Sequence, residues 1–165
     1  MLRSPAFLGI ALGCVLTAAT AVASDFEIRV TAKSDGRETQ TDRTNESPSQ
    51  KRTPPRSVME VDRNADVLLS WHAENTGKSD AFEDVLVHFF VVEERRTGQI
   101  QIPKLSTGVV YEGAITMDFR PRDKADWQMT LRIPDAGSYL VRVETIGMAP
   151  KHGHEHFAAM DLVVK

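Results

Sequence analysis

Val85 to Val92 reads VLVHFFVV, eight residues with a single polar side chain, rich in β-branched and aromatic types. A run this short and this apolar is a strand buried on both faces rather than a helix, because nothing around it continues a 3.6-residue period. The rest of the chain repeats the message at lower amplitude. Phe26–Ala32, Val67–Trp71, Val109–Tyr111, Ile115–Phe119, Trp127–Ile133, Tyr139–Thr145 and Phe157–Val164 are further strand-like runs. Turn signals separate them, notably Asn75-Thr76-Gly77 and Arg120-Pro121-Arg122-Asp123. No segment carries a helical apolar stripe with caps at both ends. The expected fold is therefore all-β, an antiparallel β-sandwich of seven or eight strands. Leu69, Trp71, Val87, Phe89, Tyr139, Val141, Val143, Met160 and Leu162 suffice to line its two facing sheets.

Pro134-Asp135-Ala136-Gly137-Ser138-Tyr139 precedes an alternating strand, Leu140-Val141-Arg142-Val143-Glu144. This Asp-x-Gly-x-Tyr pattern resembles the tyrosine corner of immunoglobulin-like sandwiches, whose phenol hydrogen-bonds back across the turn. The Val67–Gly77 stretch is similar to bacterial cell-adhesion-related (CARDB-like) extracellular domains. The resemblance covers about Val58 to Lys165 and implies an immunoglobulin-like fold. Val141 stands where an antibody-type domain carries a cysteine, so a disulfide-centred variant is not expected.

Two segments precede that domain. Residues 1–23 read as a secretory signal, with Arg3 as their only charge, an apolar stretch from Ala6 to Ala19, and small residues at Ala21 and Ala23. The apolar stretch is short of the roughly 20 residues a spanning helix needs, and no second one follows, so no transmembrane segment is expected in the mature chain. Export, to the periplasm or the exterior, is the expected address. Removing the leader removes Cys14, the single cysteine. Disulfides, thiolate nucleophiles and iron–sulfur clusters are then excluded, since each needs a cysteine sulfur. Residues 24–57 are expected to be one strand followed by a polar linker. Lys33–Ser57 has six basic and four acidic side chains, three prolines and no residue of the apolar set, too little to offset its ordering entropy. Asn45-Glu46-Ser47 matches a glycosylation sequon. The third segment, 58–165, is the sandwich.

After cleavage the chain carries 19 basic and 23 acidic side chains, which argues against a nucleic-acid partner, because phosphate binding needs a cationic surface. No nucleophile elbow, phosphate loop or zinc-protease helix is present. Glu93-Glu94 reads as a solvated strand end, and Asp118, Arg142 and Glu144 as surface ion pairs.

Histidine is the one chemically suggestive residue type. Lys151-His152-Gly153-His154-Glu155-His156 places three imidazoles at alternate positions, which an extended backbone would turn to one face. Copper or zinc accepts such ligands, and Met148, four residues earlier, would suit Cu(I). His88 sits mid-strand and completes the candidate metal set of His152, His154, His156, Met148 and His88. The bland alternatives are a solvated loop for the cluster, a packing residue for His88 and a surface strand residue for His72. His154 and His156 are in phase with Ala158, Met160, Leu162 and Val164, so a core-facing stripe would place His156 at the rim of the sandwich. Two functions follow as expectations. One is an exported, non-enzymatic binding or bracing module for an envelope or extracellular protein. The other is a periplasmic or secreted copper- or zinc-binding protein.

Overall fold

The computed structural model describes residues 26–41, 44–46, 56–98, 108–148 and 155–165. Residues 1–23, with the expected leader, and His152 and His154 lie outside the described residues. Among the described residues there is no helix, and so none long and apolar enough to cross a membrane.

Among the described residues ten strands form two sheets: β1 (Phe26–Ser34), β2 (Arg37–Gln40), β3 (Thr44–Glu46), β4 (Ser57–Val61), β5 (Val67–Asn75), β6 (Phe82–Glu94), β7 (Val109–Phe119), β8 (Lys124–Leu131), β9 (Gly137–Ile146) and β10 (Glu155–Val164). The smaller sheet runs β2-β1-β5-β8. The larger runs β3-β10-β9-β6-β7, with β4 also on β10. This is a β-sandwich. The pairing is not wholly antiparallel, because β4 lies parallel to β10 from Met160↔Ser57 to Val164↔Val61.

Alternation along the strands decides which face is buried. On β5 the burial alternates residue by residue, with Val67, Leu69, Trp71 and Ala73 turned inward. On β1 the same holds for Phe26, Ile28, Val30 and Ala32. Opposite them lie Val87 and Val91 of β6, Val141 and Val143 of β9, and Met160 and Leu162 of β10. Burying a side chain of this size contributes roughly 1.5–3 kcal/mol, and two such faces together form the core. Of the nine residues expected there, only Phe89 is incompletely buried.

Three expectations need correction. The sandwich does not begin at residue 58, because β1 sits between β2 and β5 and contributes four side chains that are at most 1% exposed. The stretch expected to be a linker also contributes β2 and β3. β2 pairs with the end of β1 from Thr31↔Gln40 to Ser34↔Arg37, around a turn with Asp35 and Gly36 at positive φ. An edge strand is held by backbone hydrogen bonds, so it forms without apolar side chains. Val109–Tyr111 and Ile115–Phe119 are likewise one strand, continuous through Gly113 and Ala114. A Cβ at Gly113 would meet the ring of Phe89 at 2.5 Å, so glycine there admits a neighbouring aromatic instead of breaking the strand.

The turn signals behave as read. Asn75 ends β5 and is fully buried. Its Oδ1 accepts from the Gly77 N–H, while its Nδ2 donates to the carbonyls of Asp80 and Phe119. Tyr139 donates its hydroxyl to the Asp135 carbonyl at 2.9 Å, closing the expected corner at the start of β9.

Candidate functional site

The β9–β10 connection holds the histidine cluster, and its described base is tightly tied. The Glu155 carboxylate accepts from Thr145 Oγ1, the Gly147 N–H and the Met148 N–H, at 2.9–3.1 Å. Thr145 Oγ1 in turn accepts from the His156 N–H at 2.9 Å. One carboxylate thus gathers both ends of the turn.

The five candidate metal ligands do not share one place. His156 is 2% exposed, and its ring tilts against Phe26 with centroids 5.5 Å apart, at the rim of the core as its register predicts. Met148 is buried within the same inner core. His88 lies on the opposite, outer face of the larger sheet, because Val87 and not His88 faces inward on β6. His88 therefore does not join His156. Among the described residues no group of three or more His, Cys, Asp or Glu is placed to hold a metal.

His88 is instead the centre of a polar chain. Its Nε2 lies 3.0 Å from Glu112 Oε1 and its Nδ1 lies 3.3 Å from Glu144 Oε1. Glu144 accepts from Arg142 Nε at 2.6 Å, and the Arg142 guanidinium stands 4.0 Å over the ring of Phe157. Arg142 is 4% exposed, so the surface pairing expected for it is corrected: it is a buried cation shared between a carboxylate and an aromatic face. Asp118 does not join this chain and accepts from the Asp84 N–H. On the smaller sheet His72 is flanked similarly, by Asp126 at 2.8 Å and Glu74 at 3.3 Å.

The outer face of the larger sheet is also apolar. Phe90, Val92, Leu140, Phe157 and Ala159 form a second buried cluster there. Beside it lies an ionic cluster that sequence reading missed. Glu94 accepts from Arg56 Nη2 through both oxygens, at 2.8 and 3.0 Å. Arg56 Nε lies 2.7 Å from Asp161 Oδ1, at an angle too bent for a hydrogen bond. Asp161 Oδ2 accepts from the Gly98 N–H at 2.8 Å. Past β6 the chain therefore crosses the outer face over β9 until Gly98 lies above β10. The side chains of Arg56, Glu94 and Asp161 are 7%, 0% and 1% exposed. Burial raises Glu94 to about 7, the hydrogen bond with Asp161 adds to the rise, and the Arg56 charge opposes it. The expectation that Glu94 is a solvated strand end is thus corrected. The signal was present: VLVHFFVV is apolar on both stripes, so Glu94, in phase with Phe90 and Val92, continues a buried row.

At the opposite side of the sandwich the inner rows are less covered among the described residues. β7 and β8 end their respective sheets and, among the described residues, pair only with β6 and β5. Their inward-facing side chains are half-buried: Tyr111 and Met117 on β7, Ala125, Trp127 and Met129 on β8. Ile115 is 38% exposed. Phe89, Tyr111 and Trp71 stack behind this opening, with Trp71–Phe89 centroids 5.0 Å apart. The Trp71 indole N–H is buried there with no hydrogen-bond partner. Apolar walls with aromatic faces and one unmet donor can hold a ligand or an apolar side chain.

No family model and no curated protein matches this chain. Among solved structures it is similar to one titled "Crystal structure of the C-terminal domain of wzt". The identity is 11% and the TM-score 0.46, over 87% of this chain and 75% of that one.

Proposed function

We propose that this chain is an exported, non-enzymatic, immunoglobulin-like module that acts by binding another envelope or extracellular protein. The observation that carries the proposal is the β7–β8 opening, where Tyr111, Trp127, Met117 and Met129 remain half-buried although they face inward. Apolar side chains that the fold leaves partly wet gain free energy when a partner covers them. The titratable groups are mostly committed to internal pairs: His72, His88, Glu94 and Glu155 each hold neighbouring strands or turns in place. Export rests on the leader-like composition of residues 1–23. The test is crosslinking of intact cells followed by recovery of the tagged protein. A partner distinct from the chain itself is expected, with a several-fold lower yield for Trp127→Ala. Recovery with no foreign partner overturns the reading.

A second reading, copper or zinc binding by the β9–β10 turn, is favoured by the placement of Met148 and His156. Both are inward-facing next to the turn that bears His152 and His154. Calorimetric titration of untagged protein tests it. Stoichiometric uptake, abolished by replacing His152, His154 and His156 with Ala, is the expected result. Affinity unchanged by that replacement eliminates the reading.

A further inference from the structure

The four sheet edges are protected to different degrees. β2 is four residues long and polar throughout, Arg37-Glu38-Thr39-Gln40, which suits an edge that discourages pairing. β3 is three residues long, and β4 is five. β8 turns Lys124, Asp126, Gln128 and Thr130 outward. β7 is different. It runs for eleven residues, VVYEGAITMDF, without lysine, arginine or proline, and it holds two of the four large exposed apolar side chains among the described residues, Val110 and Ile115. Its register with β6 is regular from Tyr111 to Met117, with irregularities only beyond those limits.

From this edge we infer that the protein forms a two-fold dimer in which β7 pairs antiparallel with β7 of a second copy, centred on Ala114. Commitment to a second copy comes from the self-complementarity of the strand. With Ala114 on the two-fold axis, Glu112 faces the partner's Thr116 and no like charges stand opposite one another. The inward row matches as well. Tyr111 faces the partner's Met117, a thioether–aromatic contact that the symmetry makes twice. Gly113 faces the partner's Ile115, and the Phe89 ring already lies over Gly113, so the aliphatic side chain meets an aromatic wall. A register shifted by two toward the C-terminal end would set Glu112 against Asp118, which is repulsive. The partner supplies hydrogen bonds to backbone groups that β6 leaves free, and it covers Ile115. This pairing goes beyond the proposed binding role and does not depend on it: it takes up Tyr111 and Met117 of β7 and leaves Trp127 and Met129 of β8 to a foreign partner.

The experiment is sedimentation equilibrium of the purified protein across the micromolar range, with two variants. Ala114 is solvent-exposed on the outer face, so Ala114→Glu leaves the monomer fold intact, as near-ultraviolet circular dichroism checks. It places two carboxylates across the axis with Glu112 diagonal to each, and raises the dimer dissociation constant roughly tenfold or more. Mixing A114E with A114K restores a dimer containing one copy of each, since the axial pair becomes attractive. A wild-type protein that stays monomeric overturns the inference, as does a dimer indifferent to A114E or a mixture that fails to reassociate. A monomer that still captures a foreign protein from cells would sink the dimer and leave the binding proposal standing.

Discussion

Trp71 and Trp127 face each other across the β5–β8 ladder, on the same side of the same sheet. Trp71 is 2% exposed, whereas Trp127 is half-buried. Residue type and facing direction are identical, so the difference comes from position: among the described residues β5 has neighbours on both sides and β8 has one. The same contrast divides the whole sandwich. At β1, β9 and β10 the inner side chains Ile28, Val30, Val141 and Met160 are at most 1% exposed, and an ionic cluster reinforces the outer face. At β7 and β8 the inner side chains stay partly wet. One side is closed; on the other, among the described residues, the inner row keeps part of its contact with water.

The contrast can be broken most directly at the tryptophans. Trp71→Ala is expected to cost about 3–5 kcal/mol, and Trp127→Ala about 1–2, because a half-buried side chain leaves a smaller void. Urea unfolding midpoints measure both, and equal losses would remove the distinction. On the reinforced side, Arg56→Ala leaves Glu94 and Asp161 buried without their cation, at a cost of about 3 kcal/mol by the same measurement. The pH dependence follows from Glu94. Its carboxyl holds a proton up to about 7 when folded, against an ordinary value near 4.5, so the folded chain binds more protons between those limits. Stability therefore falls as pH rises through that window and levels off above it, by a few kcal/mol at most. Glu94→Gln, which keeps a donor toward Asp161, should flatten the profile, and denaturation at pH 5, 6, 7 and 8 checks this. The smallest effect belongs to Tyr139→Phe, which loses one hydrogen bond to Asp135 and about 1 kcal/mol. A several-fold loss of partner capture in Trp127→Ala, against a stability loss smaller than that of Trp71→Ala, would sharpen the comparison from the side of β7 and β8.

Much of the sandwich is legible in the chain because two-residue periodicity reports directly on which side chains leave water. Val67–Trp71, Tyr139–Thr145 and Phe157–Val164 each lie within an observed strand. Pro134–Tyr139 announces a corner whose hydrogen bond is present. β2 is invisible to such reading, since it buries almost nothing and is held by its backbone to β1. Charged side chains usually face water, which is the expectation for Glu94 and Arg142; Arg56, at the entry to β4, covers Glu94, the chain past β6 brings the Gly98 N–H to Asp161, and Phe157 and Glu144 enclose Arg142. For the candidate metal set, spacing placed His156 in phase with the core row but could not tell which face His88 takes relative to it.

The order of residues therefore determined the class of fold, the inner rows of the strands and the position of the corner, because each depends on neighbours close in sequence. Sheet order decided the rest. It made Trp71 central and Trp127 peripheral, turned Glu94 into a buried carboxyl, sent His88 and His156 to opposite faces, and placed β7 at the end of its sheet among the described residues. Those outcomes depend on which distant strand lies alongside, and local periodicity carries no record of that.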